Sequence, residues 1–279
     1  MSNLRLRGRR FGPGQFAIMA VVNRTPDSFY DRGRTFGFDA ALAAVDEAVA
    51  GGADIVDIGG VKAGPGDDVG PAEEIQRVAG LVEAVRDRHP DLIISVDTWR
   101  AEVGEVVAKA GADLLNDTWG GVDPRLAEVA AEYGTGLVCA HAGRVEPRTR
   151  PHRIAYDDIV ADVISLTVDL AERAVRAGVA RDSILIDPAH DFGKNTWHSL
   201  EVSRRLTEMT ATGWPVLVAV SNKDFVGETL GGLPVDQRHA GTMATLAISA
   251  WQGARVFRVH DAASARQALA TVTHLRRHP

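Results

Sequence analysis

Apolar positions along the chain alternate between two rhythms. Short, nearly continuous apolar runs rich in β-branched residues fall at 16–23, 54–60, 92–98, 114–118, 136–142, 184–189, 215–221 and 255–261, and they read as strands. Between them apolar residues recur at helical spacing. Leu42, Val45 and Val49 share one face behind Asp39, which is expected to cap that helix, and Gly51-Gly52 stops it. Ile159, Val163, Leu166 and Leu170 line another helix, expected from Asp157 to near Gly178. Strands without polar alternation are those of a parallel sheet covered on both faces. Eight such β-α repeats predict an α/β fold closed as a (β/α)8 TIM barrel, with residues 1–279 forming one domain. An open doubly wound sheet is the alternative, but it wants a glycine-rich turn after the first strand, and none is there.

The C-terminal ends of barrel strands form the functional face, and here each one is polar. They carry Asn23, Asp57, Asp97, Asn116, His141, Asp187, Ser221 with Lys223, and Arg258 with His260. One such residue is ordinarily a strand-end cap. Eight converging ends are another matter, because burying unpartnered ions costs several kcal/mol each. A polar ligand, or pairing around one, explains them. The loops on this face, 23–38, 61–73, 143–156 and 222–236, are long and rich in Gly, Pro, Asp and Arg, as binding loops often are.

Composition narrows the ligand. The net charge of −6 argues against nucleic acid or an anionic membrane as partner, and no apolar stretch approaches the ~20 residues of a membrane span. Arg5, Arg7, Arg9 and Arg10 make the N-terminus basic, yet the apolar run after them is too short for a signal core. A cytoplasmic protein is expected. The single cysteine, Cys139, excludes an internal disulfide or a multi-cysteine metal site. Gly193-Lys194-Asn195 lacks the earlier glycine and the following Ser/Thr of a phosphate loop. The nine histidines show no metal-ligand spacing and are expected mostly on the surface.

The strand ends in order resemble the dihydropteroate synthase family. Asn23-Arg24-Thr25-Pro26-Asp27-Ser28-Phe29-Tyr30-Asp31 is similar to its Asn-x-Thr-Pro-Asp-Ser-Phe-x-Asp loop. Asp57-Ile58-Gly59-Gly60, Ser95-Val96-Asp97-Thr98, Asn116-Asp117, Asp187-Pro188, Phe192-Gly193-Lys194, Ser221 with Lys223, and Arg258-Val259-His260-Asp261 match later motifs. The resemblance implies condensation of 6-hydroxymethyl-7,8-dihydropterin diphosphate with p-aminobenzoate, releasing pyrophosphate.

It also implies roles. Asp187 would accept the pterin's amino-pyrimidine N–H fork, with Asp97, Asn116 and Phe192 completing the pocket. Lys223 would face the pterin carbonyl and Arg258 would stack on the ring. Asn23, Arg258 and His260 resemble the diphosphate site, where Asn23 would help hold Mg2+. Asp31 resembles the residue that stabilises the cation-like methylene, making Asp31, Lys223, Arg258 and His260 the candidate catalytic set. Phe29, Ala63, Gly64, Pro65, Ser221 and Asn222 would border p-aminobenzoate, or sulfonamide- and sulfone-like analogues. A homodimer packed through barrel helices is the family's habit.

The pattern breaks on the second-substrate side. The family's Glu-Ser-Thr-Arg-Pro-Gly is Val61-Lys62-Ala63-Gly64-Pro65-Gly66, and its Ser-Arg-Lys-Ser is Ser221-Asn222-Lys223-Asp224. A unit charge about 5 Å away at an effective dielectric of about 20 is worth roughly 3 kcal/mol, so both changes disfavour an anionic second substrate. The family's Gly-Ile-Gly is Ala189-His190-Asp191, its Met-His-Met is Ala140-His141-Ala142, and Arg32 replaces a glycine. The chain therefore resembles the altered second synthase copy that some bacteria carry, with weak or no activity. A working synthase is the alternative. A third reading, a methyltetrahydrofolate methyltransferase, sits poorly with residues suited to a diphosphate.

Overall fold

The computed structural model describes residues 3–12, 14–26, 33–143, 145–149 and 154–277. It opens on an antiparallel hairpin, β1 (Leu4–Leu6) and β2 (Arg9–Phe11). Arg7 and Gly8 turn it with φ of 48° and 72°, the double left-handed geometry that suits a two-residue hairpin. Eight parallel strands follow: β3 (Ala17–Asn23), β4 (Ile55–Gly59), β5 (Ile93–Asp97), β6 (Leu114–Asp117), β7 (Gly136–Ala140), β8 (Ile184–Asp187), β9 (Leu217–Val218) and β10 (Val256–Val259). They pair in the order β8-β7-β6-β5-β4-β3-β10-β9, and a parallel bridge between Ile186 and Val216 joins the two ends. The predicted TIM barrel is the observed fold.

Helices α1 (Phe38–Ala50), α2 (Pro71–Arg88), α3 (Ala101–Lys109), α4 (Arg125–Tyr133) and α5 (Ile159–Ala177) follow β3 to β7 in turn. After β8 come α6 (Thr196–Arg204) and α7 (Leu206–Thr210), after β9 come α8 (Asp224–Thr229) and α9 (His239–Trp251), and α10 (Ala262–Arg277) follows β10. Strand-outward residues such as Ile18, Val56, Ile94, Leu115 and Phe257 join the helices in one apolar cluster. Inward residues Met19, Ile55, Ile93, Leu114, Val138, Leu185, Leu217 and Val256 form a second cluster. Burial on both faces is why the strands lack polar alternation.

The hairpin belongs to that inner cluster. Leu4, Leu6 and Phe11 are buried with the barrel's inward residues. Its arginines pair with acidic residues beside the strand starts: Arg9 with Asp54 at 2.5 Å and Arg7 with Asp113 at 3.1 Å. Arg255, next to β10, donates to the carbonyls of Phe11 (2.9 Å) and Gln15 (3.0 Å). The basic N-terminus is thus a plug for the apolar end of the barrel.

Three expectations need correction. Gly37 occupies the N-cap of α1, and Asp39 lies in its first turn, where a carboxylate complements the helix dipole. Helix α5 starts at Ile159 rather than at Asp157, and Asp158 caps it, accepting from Val160 N at 2.9 Å and Ala161 N at 3.1 Å. The seventh strand shrinks from 215–221 to Leu217–Val218. Pro215 has no N–H to give the ladder, and at the other end the Ser221 hydroxyl turns to His260. Two of the histidines, His141 and His190, are fully buried. Among the described residues, no helix is long and apolar enough to cross a membrane.

Candidate functional site

Above the inner apolar cluster, the inward positions of the strands turn polar. Asp57 of β4 is fully buried and gathers three donors. Ser95 Oγ donates to its Oδ1 at 2.6 Å, while Asn116 Nδ2 at 3.1 Å and Arg258 Nε at 2.6 Å donate to its Oδ2. Arg258 reaches Asp97 Oδ2 with a second nitrogen at 3.1 Å, and Thr118 Oγ1 donates to Asp97 Oδ1 at 3.0 Å. Strands β4, β5, β6 and β10 thereby hold one guanidinium between two carboxylates. Burial weakens the hold of Arg258 on its proton, but Asp57 and Asp97 outweigh that and raise its pKa. Burial drives Asp97 up to about 7, against the attraction of Arg258.

Two acceptors in this layer are left over. Asn116 Oδ1 is buried without a hydrogen-bond partner among the described residues. Asp187, 3% exposed, spends its Oδ1 on Ala189 N at 2.7 Å, and its Oδ2 takes no hydrogen bond from a described residue. Burial raises the Asp187 pKa, opposed by Lys223. A buried amide oxygen left unpaired costs about 1–3 kcal/mol, so these atoms point to a ligand that supplies N–H groups.

Aromatic rings stand beside them. Trp119 meets Phe192 edge-on at 5.2 Å and Trp99 at 6.4 Å, and the Lys223 ammonium lies 4.7 Å from the Phe192 ring centre. Lys223 also donates to the His190 carbonyl. Asn23 ends β3 opposite Gly59 in register, and a Cβ built on Gly59 would lie 3.1 Å from Asn23 Oδ1. His260 Nδ1 is 2.9 Å from Ser221 Oγ.

A buried lysine braces the loop that follows β8. Lys194 Nζ donates to His141 Nδ1 at 2.7 Å and to the carbonyls of His141, Phe192 and Ala189 at 2.8, 3.0 and 3.2 Å. His141 Nε2 in turn meets Asp162 at 2.7 Å. Burial and the Lys194 ammonium pull His141 down to about 4, so the ring is neutral and donates to Asp162. Gly193 permits this close fold, since a Cβ there would lie 2.9 Å from the Ala142 carbonyl carbon.

The second-substrate side departs from expectation in its charge. Asp224 pairs with Arg238 NH1 at 2.8 Å, and the same nitrogen donates to the Asn222 carbonyl at 2.9 Å. The negative charge that sequence reasoning set against an anionic substrate thus has its own cation. A Cβ at Gly227 would collide with that guanidinium. Asn222 is buried, its Oδ1 accepting from Thr242 at 3.3 Å, and does not stand in for an exposed arginine. On loop two, Ala63 is half-buried, Gly64 buried and Pro65 exposed, and Arg148 Nε reaches the Gly64 carbonyl at 3.4 Å. Phe29 and Asp31 lie outside the described residues.

The structure therefore brings together Asp97, Asn116 and Arg258, and separately Lys223 with Phe192 and Ser221 with His260. Sequence reasoning missed Asp57 as the centre of the Arg258 network, Trp119 as a wall, and Arg238. An inward position on β4 was the available signal for Asp57; Trp119 and Arg238 carried none.

A barrel whose polar end holds a clamped guanidinium, spare buried acceptors and an aromatic wall is built for a planar ligand rich in N–H groups. The model of the pterin binding enzyme family matches residues 19–260. The chain is 56% identical over 274 residues to "Inactive dihydropteroate synthase 2" of Mycobacterium tuberculosis, covering 97% of this chain and 86% of that one. Its fold overlays the Yersinia pestis dihydropteroate synthase solved with a sulfonamide drug at a TM-score of 0.93 and 36% identity, covering 99% and 100% of the two chains. The Xanthomonas albilineans dihydropteroate synthase solved with 4-aminobenzoic acid gives 0.89 and 34%, with 100% of both covered. The chain belongs to the dihydropteroate synthase family of pterin-binding enzymes.

Proposed function

We propose that this chain binds a reduced pterin of the 6-hydroxymethyl-7,8-dihydropterin diphosphate type at the C-terminal mouth of the barrel, and condenses it with p-aminobenzoate weakly or not at all. The observation that carries pterin binding is the spare acceptor set, Asn116 Oδ1 and Asp187 Oδ2, beside the aromatic wall. The amino-pyrimidine edge of a pterin offers a matching fork of N–H donors. Asp187 accepts that fork, Asn116 caps the ring edge, and Asp97 anchors Arg258. Arg258, held by two carboxylates, offers its guanidinium plane to the ring. Lys223 and Phe192 complete the pocket.

Asn23, His260 and Arg258 form the diphosphate side. Mg2+ binds through few protein ligands and several phosphate or water oxygens, so one amide oxygen, Asn23 Oδ1, fits a role as its protein donor. When bound, the ion would neutralise charge on the departing pyrophosphate. Asp31 and Phe29 are assigned by resemblance to methylene stabilisation and water exclusion. Loss of condensation follows from Ala63 and Gly64, which bring neither hydroxyl nor guanidinium to the second substrate, and agrees with the name of the Mycobacterium tuberculosis relative.

A second reading, a working synthase, is supported by the Arg238–Asp224 pair, which removes one objection to an anionic substrate. The deciding experiment is p-aminobenzoate-dependent pyrophosphate release with Mg2+, beside calorimetric titration with a dihydropterin. Pterin binding without turnover supports the first reading, and turnover near that of an ordinary synthase supports the second. No pterin binding by folded protein, or binding undiminished in Asp187→Ala, sinks both.

Ile248 and Trp251 on α9 and Leu275 on α10 are all more than half exposed. They support a homodimer through this helix pair. A polar small-molecule ligand fits the cytoplasm, and that is the compartment we assign.

A further inference from the structure

The loop after β8 carries a carboxylate that pterin binding does not explain. Ala189, Asp191 and Gly193 all have positive φ, at 47°, 67° and 58°. Positions 189 and 191 are those where the family motif has glycine, so the backbone keeps a left-handed geometry while bearing two side chains. Aspartate is one of the few L-residues that tolerate it. The Asp191 carboxylate joins two elements. Ser199 Oγ of α6 donates to its Oδ1 at 3.2 Å, and the backbone N–H of Phe225, in the first turn of α8, donates to its Oδ2 at 3.3 Å. The residue just before α8 is Lys223, whose ammonium donates to the carbonyl of His190, the neighbour of Asp191.

We propose that Asp191 is a positioning residue for Lys223: it fastens the lysine's segment to the β8 loop and supplies a through-space counter-charge, so that Lys223 is engaged by the protein rather than by a pterin carbonyl. The inference rests on the pterin-binding reading for its consequence, though not for its geometry. The charges around Lys223 come from several elements. Asp191 and Asp187 from the β8 side and Asp224 from α8 favour its charged form, while burial and Arg258 from β10 oppose it. Lys194 also repels it. Burial is the largest influence and the net effect is downward, with Asp191 the largest of the opposing charges. Withdrawing Lys223 weakens one charge-assisted contact to the ligand without altering the rest of the pocket.

The test uses Asp191→Asn, which keeps shape and left-handed tolerance, and Asp191→Gly, which restores the family residue. The chain has four lysines, Lys62, Lys109, Lys194 and Lys223, so the Lys223 ammonium can be followed by 15N NMR in ligand-free protein. Its titration midpoint is expected to fall in both variants. Dihydropterin affinity at pH 7 is expected to tighten about three- to tenfold, the scale of one charge-assisted hydrogen bond, with the alkaline loss of binding moved to lower pH. A midpoint that stays put in both variants overturns the proposal, as does a moved midpoint with unchanged affinity. If the parent chain binds no dihydropterin, the functional reading falls alone, and the ligand-free titration still decides whether Asp191 sets the state of Lys223.

Discussion

Arg258 Nε and Asp57 Oδ2 meet at 2.6 Å across the barrel, from strands β10 and β4 that β3 separates. The contact ties three other residues to the same point, because Asp57 also receives Ser95 and Asn116, and Arg258 also holds Asp97. Removing one partner of a buried ion pair costs about 3–5 kcal/mol. Asp57→Ala should lower unfolding free energy by about that amount in urea, with a larger loss of pterin affinity than of fold. A cost under about 1 kcal/mol would mean that Asp97 alone suffices to hold Arg258.

The polar layer also sets a pH signature. Asp97 is raised by burial to about 7 and Asp117 to about 6. Across pH 4–7 the folded state therefore keeps protons that unfolded carboxyls release, and stability from these groups falls as pH rises. His141, held down to about 4, acts oppositely: its unfolded form takes up a proton below pH 6.5, so stability falls as pH drops. The two trends offset each other in the parent protein. Asp97→Asn should remove part of the first, so that stability climbs more steeply from pH 4 to 7 than in the parent. An identical slope in chemical denaturation would contradict the raised Asp97.

Arg238 should matter to the second substrate more than to the first. Its guanidinium neutralises Asp224 and ties the carbonyls of Asn222 and Leu233. In Arg238→Gln, affinity for p-aminobenzoate or a sulfonamide should drop several-fold at low salt, and the difference should shrink at high salt as screening sets in. Dihydropterin affinity should stay within about twofold. A salt-independent loss of both would mark a general collapse of the α8 region.

Trp251 is more than half exposed at the end of α9, near Arg276 of α10. Trp251→Glu should convert a dimer to a monomer in light scattering without unfolding the barrel. A parent chain that is monomeric at micromolar concentration would remove the dimer from consideration.

Much of this architecture is written in the apolar runs, because a strand covered on both faces leaves an unbroken signal. The polar strand ends were legible for the same reason: Asp57, Asp97, Asn116 and Asp187 each interrupt or end such a run. What could not be read depends on contacts distant in sequence. Arg238 lies in a polar loop and finds Asp224 only after α8 has turned the chain back. Leu4, Leu6 and Phe11 are three apolar residues among arginines, too few to mark a hairpin until the barrel supplies their other wall. His141 was legible as a strand end, but its partners Asp162 and Lys194 lie 21 and 53 positions away and were not. The left-handed backbone at Ala189 was hidden by a residue type that rarely adopts it.

The hairpin at the start of the chain has a bearing on how the molecule comes into being. Leu4 and Leu6 find their apolar surroundings among inward residues of strands as distant as β10, and Arg255 reaches back 244 positions to the carbonyl of Phe11. The hairpin must therefore wait for a strand made more than 240 residues later. Such non-local closure makes folding slow, and until it occurs the inner lining of the barrel is open at one end. Until β10 joins the hairpin, that apolar surface stays available to other chains.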